Sequence, residues 1–172
     1  MRRICLTGLP GSGKTTLVKK LLEMAPHLFV GFYTEEIREG NRRKGFRIRT
    51  TWGKSSILAL EGLPSGARIG RYGVELENLG RAVSELEREM EGRPGAAVVV
   101  DEVGKMELLC APFRRLVGSL LEGERPLLLT APARSSDPLV LRAKRELEVL
   151  EVTPEGRDGV LEELKRYYGL AP

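Results

Sequence analysis

A glycine-rich turn near the start of the chain constrains its fold more than any other stretch. Residues 8–15 have the sequence GLPGSGKT, in which two glycines lie five positions apart and are followed by lysine and threonine. This is the phosphate-loop pattern, whose glycines let successive backbone N–H groups point at phosphate oxygens at the start of a helix. In such a loop Lys14 reaches the β- and γ-phosphates and Thr15 ligates magnesium. The turn therefore predicts a strand, a loop and a helix arranged around a nucleoside triphosphate.

The residues on either side of the turn favour the same interpretation. Residues 2–7 form a short apolar run before it, and Leu17, Val18 and Leu21 recur at helical spacing after it. A strand that enters the loop and a helix that leaves it are the context in which this motif binds phosphate. The loop residues expected to contact the nucleotide are Gly8, Leu9, Pro10, Gly11, Ser12, Gly13, Lys14, Thr15 and Thr16.

The rest of the chain alternates strands and helices, with one interruption. Residues 28–33 are typical of a second strand, and residues 96–100 of a strand buried on both faces of a parallel sheet. Between them, from about residue 35 to 76, short β-prone pieces and turn signals indicate an antiparallel insertion. We expect one α/β P-loop domain over residues 1–172, with a mainly parallel sheet, helices on both faces and a β-rich hairpin insertion after the second strand.

Periodicity also predicts the smaller elements. Strands are expected at residues 46–49, 55–60 and 72–76 of the insertion, followed by a helix from Leu79 that Asn78 would cap. The remaining helices and strands are expected at residues 113–121, 126–130, 139–147, 149–152 and 160–168.

Composition limits the partners and the metal. The net charge is only +4, both signs of charge are mixed along the chain, and aromatic residues make up 5%, so no nucleic-acid surface is expected. The chain has one histidine, His27, and no paired cysteine motif from which a zinc site could be built. The expected metal is therefore a hard cation held by oxygen atoms, Mg²⁺.

The cysteines and the hydropathy pattern bear on the location of the protein. Cys5 and Cys110 lie within or beside apolar segments, and no secretory or membrane-spanning stretch opens the chain. We expect a reduced, cytoplasmic protein with no membrane partner, and a monomer is favoured.

Two acidic residues follow the buried strand at residues 96–100. In open α/β sheets ligands lie beyond the carboxyl ends of the strands, which would bring Gly8, Asp101 and Thr130 to one edge of the sheet. Asp101 would be the second magnesium ligand, and Glu102 could take a proton from a water that attacks the γ-phosphorus. A base in that position favours hydrolysis, because a kinase must keep water out. A solvated strand end could carry the same two acids.

The segment after these acids offers one more charged group. Gly104 would let the chain turn tightly. Lys105 would then either stabilise charge on the transferred phosphoryl group or pair with Glu107 or Glu102, and the two alternatives stay open. Five arginines in the insertion are further candidates for stabilising that charge: Arg38, Arg42, Arg43, Arg47 and Arg71.

These stretches together resemble the cancer-related or thermophile-type nucleoside-triphosphatase family. The similarity lies in the loop at residues 8–16, in residues 31–38 with the glycines and arginines after them, in the weaker match at residues 70–76, and above all in DEVGKMEL at residues 101–108. The resemblance covers nearly the whole chain. It implies a magnesium-dependent enzyme that hydrolyses ATP, GTP and other nucleoside triphosphates to the diphosphate and phosphate, with broad base tolerance.

The resemblance also bears on individual residues. The nucleotide is held in that family by the phosphate loop and by the strand that carries the aspartate and glutamate, which implies binding roles for Asp101, Glu102 and Gly104. Arg38 lies on the matching stretch nearest the second strand and is the preferred charge-stabilising arginine. Near the end of the chain the family tends to have an Asn-Arg pair, whereas this sequence has Gly156 and Arg157. Arg157 is therefore the expected nucleotide contact there, without the neighbouring asparagine.

Two other functions fit a phosphate loop. A small nucleotide or nucleoside kinase would need an acceptor pocket and an arginine-rich lid, and the hairpin insertion could serve as either. A nucleotide-dependent switch or motor subunit would couple hydrolysis to a partner, although the modest charge does not favour a nucleic-acid partner.

Overall fold

The glycine-rich turn joins a strand to a helix, as the sequence predicts. The computed structural model describes residues 2–170, and within them nine strands form one sheet. The strands are β1 Arg3–Gly8, β2 Phe29–Glu39, β3 Arg42–Thr50, β4 Ser55–Glu61, β5 Arg68–Ile69, β6 Tyr72–Val74, β7 Ala97–Val100, β8 Leu127–Pro132 and β9 Glu148–Glu151. The α-helices are α1 Lys14–Met24, α2 Leu76–Gly92, α3 Ala111–Glu122, α4 Pro138–Glu146 and α5 Arg157–Tyr167, and short 3₁₀ turns cover Pro26–Leu28 and Glu107–Leu109.

The strand order is β5-β6-β4-β3-β2-β7-β8-β1-β9, and β2, β7, β8, β1 and β9 are parallel. The register pairs Val100 with Phe32 on one side and with Leu129 on the other, and Leu129 in turn lies beside Cys5. The carboxyl ends of the central strands therefore meet at one edge of the sheet. The expected parallel core is confirmed.

The helices cover both faces of the sheet, as predicted. Helices α1 and α5 enclose one apolar cluster, and α2, α3 and α4 enclose another on the opposite face. Fully buried leucines such as Leu17, Leu86 and Leu164 come from helices of both layers. Each such side chain stabilises the folded chain by about 1.5–3 kcal/mol through removal from water. The two cores hold the loop after β1 and the loop after β7 in a fixed relation.

The second strand is longer than predicted. It was expected to end at residue 33, but β2 continues to Glu39 because its second half pairs in antiparallel register with β3. The polar residues after Tyr33 alternate between the two sides of this ribbon and so remain within a strand. The antiparallel pieces therefore extend the main sheet and project beyond the edge where β7 ends.

The start of α2 also corrects a prediction. The helix begins at Leu76, so the strand expected at residues 72–76 ends at Val74. Asn78 lies inside the helix and donates from Nδ2 to the carbonyl of Ile57 at 2.8 Å, and the expected N-cap is therefore wrong. Across residues 2–170, no helix is both long enough and apolar enough to cross a membrane.

Candidate active site

The loop between β1 and α1 has the backbone that its glycines make possible. Gly11 and Gly13 have φ values of 80° and 107°, which only glycine adopts readily. The N–H of Ser12 donates to the carbonyl of Leu9 at 3.0 Å and closes the turn. The loop faces solvent at Leu9, Pro10, Gly11 and Thr16. Its free N–H groups lie at the positive end of the α1 dipole, so the loop can bind an anion.

Lys14 lies buried behind the loop with its ammonium group fully bonded. Its Nζ atom is 2.7 Å from the carbonyl oxygen of Gly8 and 3.3 Å from that of Ala131. The same nitrogen is 2.9 Å from Oε2 of Glu102. An ammonium has three donors, and all three have an acceptor here. The predicted phosphate-binding cation and the predicted base are therefore direct neighbours.

Asp101 lies at the end of β7, where the strand-end rule predicts it. Thr15 donates from Oγ1 to Oδ2 of Asp101 at 2.8 Å, and the Thr130 hydroxyl donates to Oδ1. The backbone N–H of Thr34 lies close to the same carboxyl group and also lowers its pKa. Burial raises the pKa of Asp101 to about 6, against the lowering effect of the hydrogen bonds from Thr130 and Thr15.

The hydroxyl of Thr15 and the carboxyl of Asp101 are both hard oxygen donors, the type that Mg²⁺ prefers. No group of three His, Cys, Asp or Glu side chains able to hold a metal occurs within residues 2–170. A site with few protein ligands is suited to Mg²⁺, which keeps waters and shares substrate phosphates. The donor set therefore fits a cation that arrives with the nucleotide.

Glu102 and Glu107 close around Gly104. A Cβ atom at Gly104 would lie 2.8 Å from Oε1 of Glu102 and 3.0 Å from Oε1 of Glu107, so any larger residue here would have to displace these carboxyl groups. Lys105 is exposed and forms no ion pair with either glutamate, both of which lie in the described part of the chain. Of the two alternatives for Lys105, the pairing with Glu102 or Glu107 is therefore wrong for this state, because Glu102 pairs with Lys14.

Arg157 lies against the phosphate loop at Gly13. A Cβ atom at Gly13 would lie 2.5 Å from Cδ and 2.8 Å from Nη1 of Arg157, so this side chain packs directly on the loop. Its buried Nε has no hydrogen-bond partner among the described residues. Gly156, at the expected asparagine position, begins α5 without a side-chain cap. The structure therefore brings Arg157 to the loop without the asparagine side chain that the family has beside it.

The arginines of the insertion lie elsewhere. Arg38 is exposed near the tip of the β2–β3 ribbon, where its guanidinium contacts Glu36 at 2.7 Å and the carbonyl of Asn41 at 3.1 Å. Six residues of strand separate it from Phe32, about 20 Å at the usual rise per residue. Three other candidates, Arg42, Arg43 and Arg47, lie on β3, and Arg71 lies in the turn between β5 and β6. None of these five residues contacts Lys14, Asp101 or Glu102 in the described part of the chain.

Two residues of the site were not predicted. Thr34 lies just after the strand expected at residues 28–33 and was given no role, yet its backbone N–H lies close to the Asp101 carboxyl. Glu107 was considered only as a partner of Lys105, yet it is 5% exposed and faces Gly104. Glu107 lies three residues after Gly104, about one helical turn, and residues at this spacing lie on the same face of a helix. That spacing could have predicted that Glu107 faces Gly104.

Comparison with known proteins gives consistent matches over nearly the whole chain. The model of the family described as NTPase matches residues 3–165. A nucleoside-triphosphatase THEP1 from Thermotoga maritima is 41% identical over 165 residues, covering 94% of this chain and 92% of the relative.

Two solved structures are also similar. The crystal structure of THEP1 from Aquifex aeolicus has a TM-score of 0.86 and 36% identity, and the match covers 96% of this chain and 98% of that one. The solution structure of a human cancer-related nucleoside triphosphatase has a TM-score of 0.78 and 34% identity, with 97% of each chain covered. The α/β P-loop fold predicted from the sequence is thus confirmed.

Proposed function

The chain belongs to the NTPase family and is a hydrolase that cleaves nucleoside triphosphates; we propose that it does so with Mg²⁺ and with broad tolerance of the nucleobase. Glu102 would be the general base of the reaction. The observation that carries the proposal is the Glu102 carboxylate 2.9 Å from Lys14 at the rear of the phosphate loop. A nucleotide whose phosphates lie in that loop would place its γ-phosphorus near both groups.

The loop supports binding through its phosphates. Backbone N–H groups around Gly11 and Gly13 and the buried ammonium of Lys14 would bind the β- and γ-phosphates. These contacts do not involve the nucleobase, which supports hydrolysis of ATP, GTP and other nucleoside triphosphates alike. Arg157 packs on Gly13, and its Nε has no hydrogen-bond partner among the described residues. It would therefore contact a nucleotide bound in the loop.

Thr15 and Asp101 would hold the magnesium ion, which supplies positive charge to the β- and γ-phosphate oxygens when bound. Thr130 and the N–H of Thr34 orient the Asp101 carboxyl from behind. This second layer of bonds fixes the direction in which the carboxylate oxygens point.

Glu102 would act on the attacking water. Its side chain is about one third exposed, so water from solvent reaches it beside the loop. As the water oxygen bonds to the γ-phosphorus and the bond to the β-phosphate oxygen breaks, the water proton passes to Glu102. Lys14 would meanwhile balance negative charge that moves towards the β-phosphate. The products are the nucleoside diphosphate and phosphate.

Three further roles belong to the same proposal. Lys105 is exposed and forms no ion pair within residues 2–170, which would leave it free to contact the transferred phosphoryl group. Arg38 would stabilise the same charge only if the hairpin moved towards the loop and Arg38 left Glu36. Arg38→Ala with turnover and nucleotide affinity both unchanged would exclude that role. A reduced, cytoplasmic monomer is also proposed, supported by the free and buried thiols of Cys5 and Cys110.

The proposal is tested by phosphate release from ATP, GTP, CTP and UTP with Mg²⁺ or with EDTA. We expect release from all four without any acceptor, and none in EDTA. A panel of nucleosides and monophosphates added to the same assay detects phosphoryl transfer. Phosphate release that depended on such an acceptor, or that persisted in EDTA, would contradict the proposal.

A further inference from the structure

Glu107 is a buried acid that the mechanism above does not use. It begins the 3₁₀ turn Glu107–Leu109 after the Asp101 strand end, and only 5% of it is exposed. Burial and the nearby negative charge of Glu102 raise its pKa to about 8. A buried carboxylate usually has a cation beside it. No lysine or arginine forms an ion pair with Glu107 within residues 2–170, so its isolation needs a physical reason.

The carboxyl of Glu107 packs against the turn that carries Glu102. Its Oε1 atom lies 3.0 Å from where a Cβ atom of Gly104 would be, so the carboxyl is in contact with the Gly104 backbone. The N–H of Leu108 donates to the carbonyl of Gly104 at 3.0 Å, so the turn is tied to the 3₁₀ segment twice. Because a Cβ atom at Gly104 would lie within 3.0 Å of both glutamates, their Oε1 atoms are less than about 6 Å apart.

The charges around Glu107 are few. The negative charges of Glu102 and Asp101 act on its carboxyl group, and Lys14 is paired with Glu102. Arg114 of α3 is directed away, to the carbonyl of Leu108 and the carboxylate of Asp137. The buried face of α2, which packs against the 3₁₀ turn, is apolar: Leu79, Ala82, Val83 and Leu86. Among residues 2–170, Glu107 therefore has two acids nearby and no cation paired with it.

We propose that Glu107 is a positioning residue for hydrolysis: it holds the Gly104 turn beneath Glu102 and, by carrying a proton, leaves the negative charge to Glu102. This inference rests on the proposed role of Glu102 as the base. The proton on Glu107 takes no part in the reaction, because the proton of the attacking water goes to Glu102. What Glu107 contributes is the location of the turn and the absence of a second negative charge beside the transferred phosphoryl group.

The sign of the pH effect follows from the raised pKa. Below about pH 8 Glu107 is protonated and neutral, and above it Glu107 becomes a carboxylate next to Glu102 and the phosphates. A second negative charge there opposes the approach of the nucleophile and the build-up of charge on the phosphoryl oxygens. Turnover should therefore fall on the alkaline side, by about tenfold for each pH unit above the pKa of this single group.

The test uses Glu107→Gln and Glu107→Ala in the full chain, with kcat and KM for Mg-ATP measured from pH 6 to 9.5. Glutamine keeps the size of the side chain but cannot ionise. We expect Glu107→Gln to have kcat within about threefold of the wild type at pH 7 and to lose the alkaline fall. We expect Glu107→Ala to lose at least about tenfold in kcat at pH 7, with KM nearly unchanged, because the turn under Glu102 is no longer held.

Two controls separate the possible causes. Arg115→Gln, which alters an exposed charged group on the following helix α3, should keep the alkaline fall. Circular dichroism and binding of ADP establish that each variant is folded and binds nucleotide. Identical pH profiles for wild type and Glu107→Gln, or full kcat in Glu107→Ala, would overturn the inference while leaving the role of Glu102 intact. Full activity of Glu102→Gln would instead refute the proposed base, whatever the Glu107 variants do.

Discussion

The ammonium of Lys14 and the carboxylate of Glu102 form an ion pair, with Nζ 2.9 Å from Oε2. The lysine comes from the phosphate loop and the glutamate from the end of β7, so the pair joins the two halves of the site. Lys14 is 9% exposed, and its other two contacts are backbone carbonyls. A γ-phosphate would compete with Glu102 for this ammonium, and its binding would leave the glutamate free to accept a proton.

Replacement of Lys14 should abolish nucleotide binding. Lys14→Ala removes a buried cation that would contact two phosphates, and charged hydrogen bonds are each worth about 1.5–3 kcal/mol. We expect the Kd for ATP to rise at least about 100-fold by isothermal titration calorimetry. Lys20→Ala, on the same helix, is the control and should bind as the wild type does. Wild-type affinity in Lys14→Ala would refute the phosphate-binding role.

Arg157 should contribute affinity without contributing to chemistry. Its side chain packs on Gly13, and it forms no ion pair with Glu102 in the described part of the chain, so we expect it to contact ATP and ADP alike. We expect Arg157→Gln to weaken both nucleotides about tenfold, the loss of one charged hydrogen bond, with kcat at saturation nearly unchanged. Arg157→Lys keeps the charge and should recover part of the affinity. A large fall in kcat with unchanged Kd would contradict this account.

Thr15 should set the magnesium requirement. Its hydroxyl lies 2.8 Å from Asp101, and Thr15→Val keeps the shape of the side chain but removes the oxygen. We expect the Mg²⁺ concentration for half-maximal hydrolysis to rise about tenfold or more, comparable to one lost charged contact. The matched control is Thr16→Val on the exposed neighbour, which should keep the wild-type magnesium dependence whatever it does to nucleotide affinity. The ligand assignment fails if the two variants share one magnesium dependence.

Asp137 should contribute to the stability of the fold, and its replacement should leave the activity unchanged. It caps α4 by accepting from the N–H of Leu139 at 2.9 Å and pairs with Arg114 at 3.0 Å. We expect Asp137→Ala to lower the free energy of unfolding by about 1–2 kcal/mol in urea titrations at pH 7, whereas Asp137→Ser, which keeps a capping oxygen, should lose less. An equal loss in both variants would indicate that the cap contributes nothing.

The contribution of Asp137 to the free energy of unfolding should depend on pH in a definite direction. The hydrogen bond from Arg114 lowers the pKa of Asp137 below its ordinary value, so the carboxylate is favoured in the folded state. The stabilisation is present above the unfolded pKa of about 4 and is lost as the pH falls through the lower folded pKa. The difference between wild type and Asp137→Ala should therefore shrink in acid.

Much of the site could be predicted because parallel strands have a fixed polarity. The meeting of Thr15, Asp101 and Thr130 follows from three strands that end at the same edge of one sheet. The continuation of β2 to Glu39 was not predictable from its polar sequence, because the antiparallel pairing with β3 overrides local hydropathy. The interior position of Asn78 has the same origin, since a tertiary hydrogen bond to Ile57 replaces a local cap.

The environment of Glu107 could not be predicted either. Local sequence gives its distance along the chain from Lys105 but not the direction in which either side chain points. The apolar neighbours Met106 and Leu108 pack against the core, which turns Glu107 inwards and leaves Lys105 in solvent. The burial of Glu107 and the charges around it therefore had to be observed in the folded chain.

The most direct test of the account is single-turnover hydrolysis of ATP by Glu102→Gln at saturating enzyme and Mg²⁺. The amide keeps the size of the side chain but cannot accept the proton of the attacking water. We expect ATP to bind with an affinity close to that of the wild type and to remain intact, with a rate about 10²–10⁴-fold lower. Hydrolysis of bound ATP at the wild-type rate would contradict the assignment of Glu102 as the base.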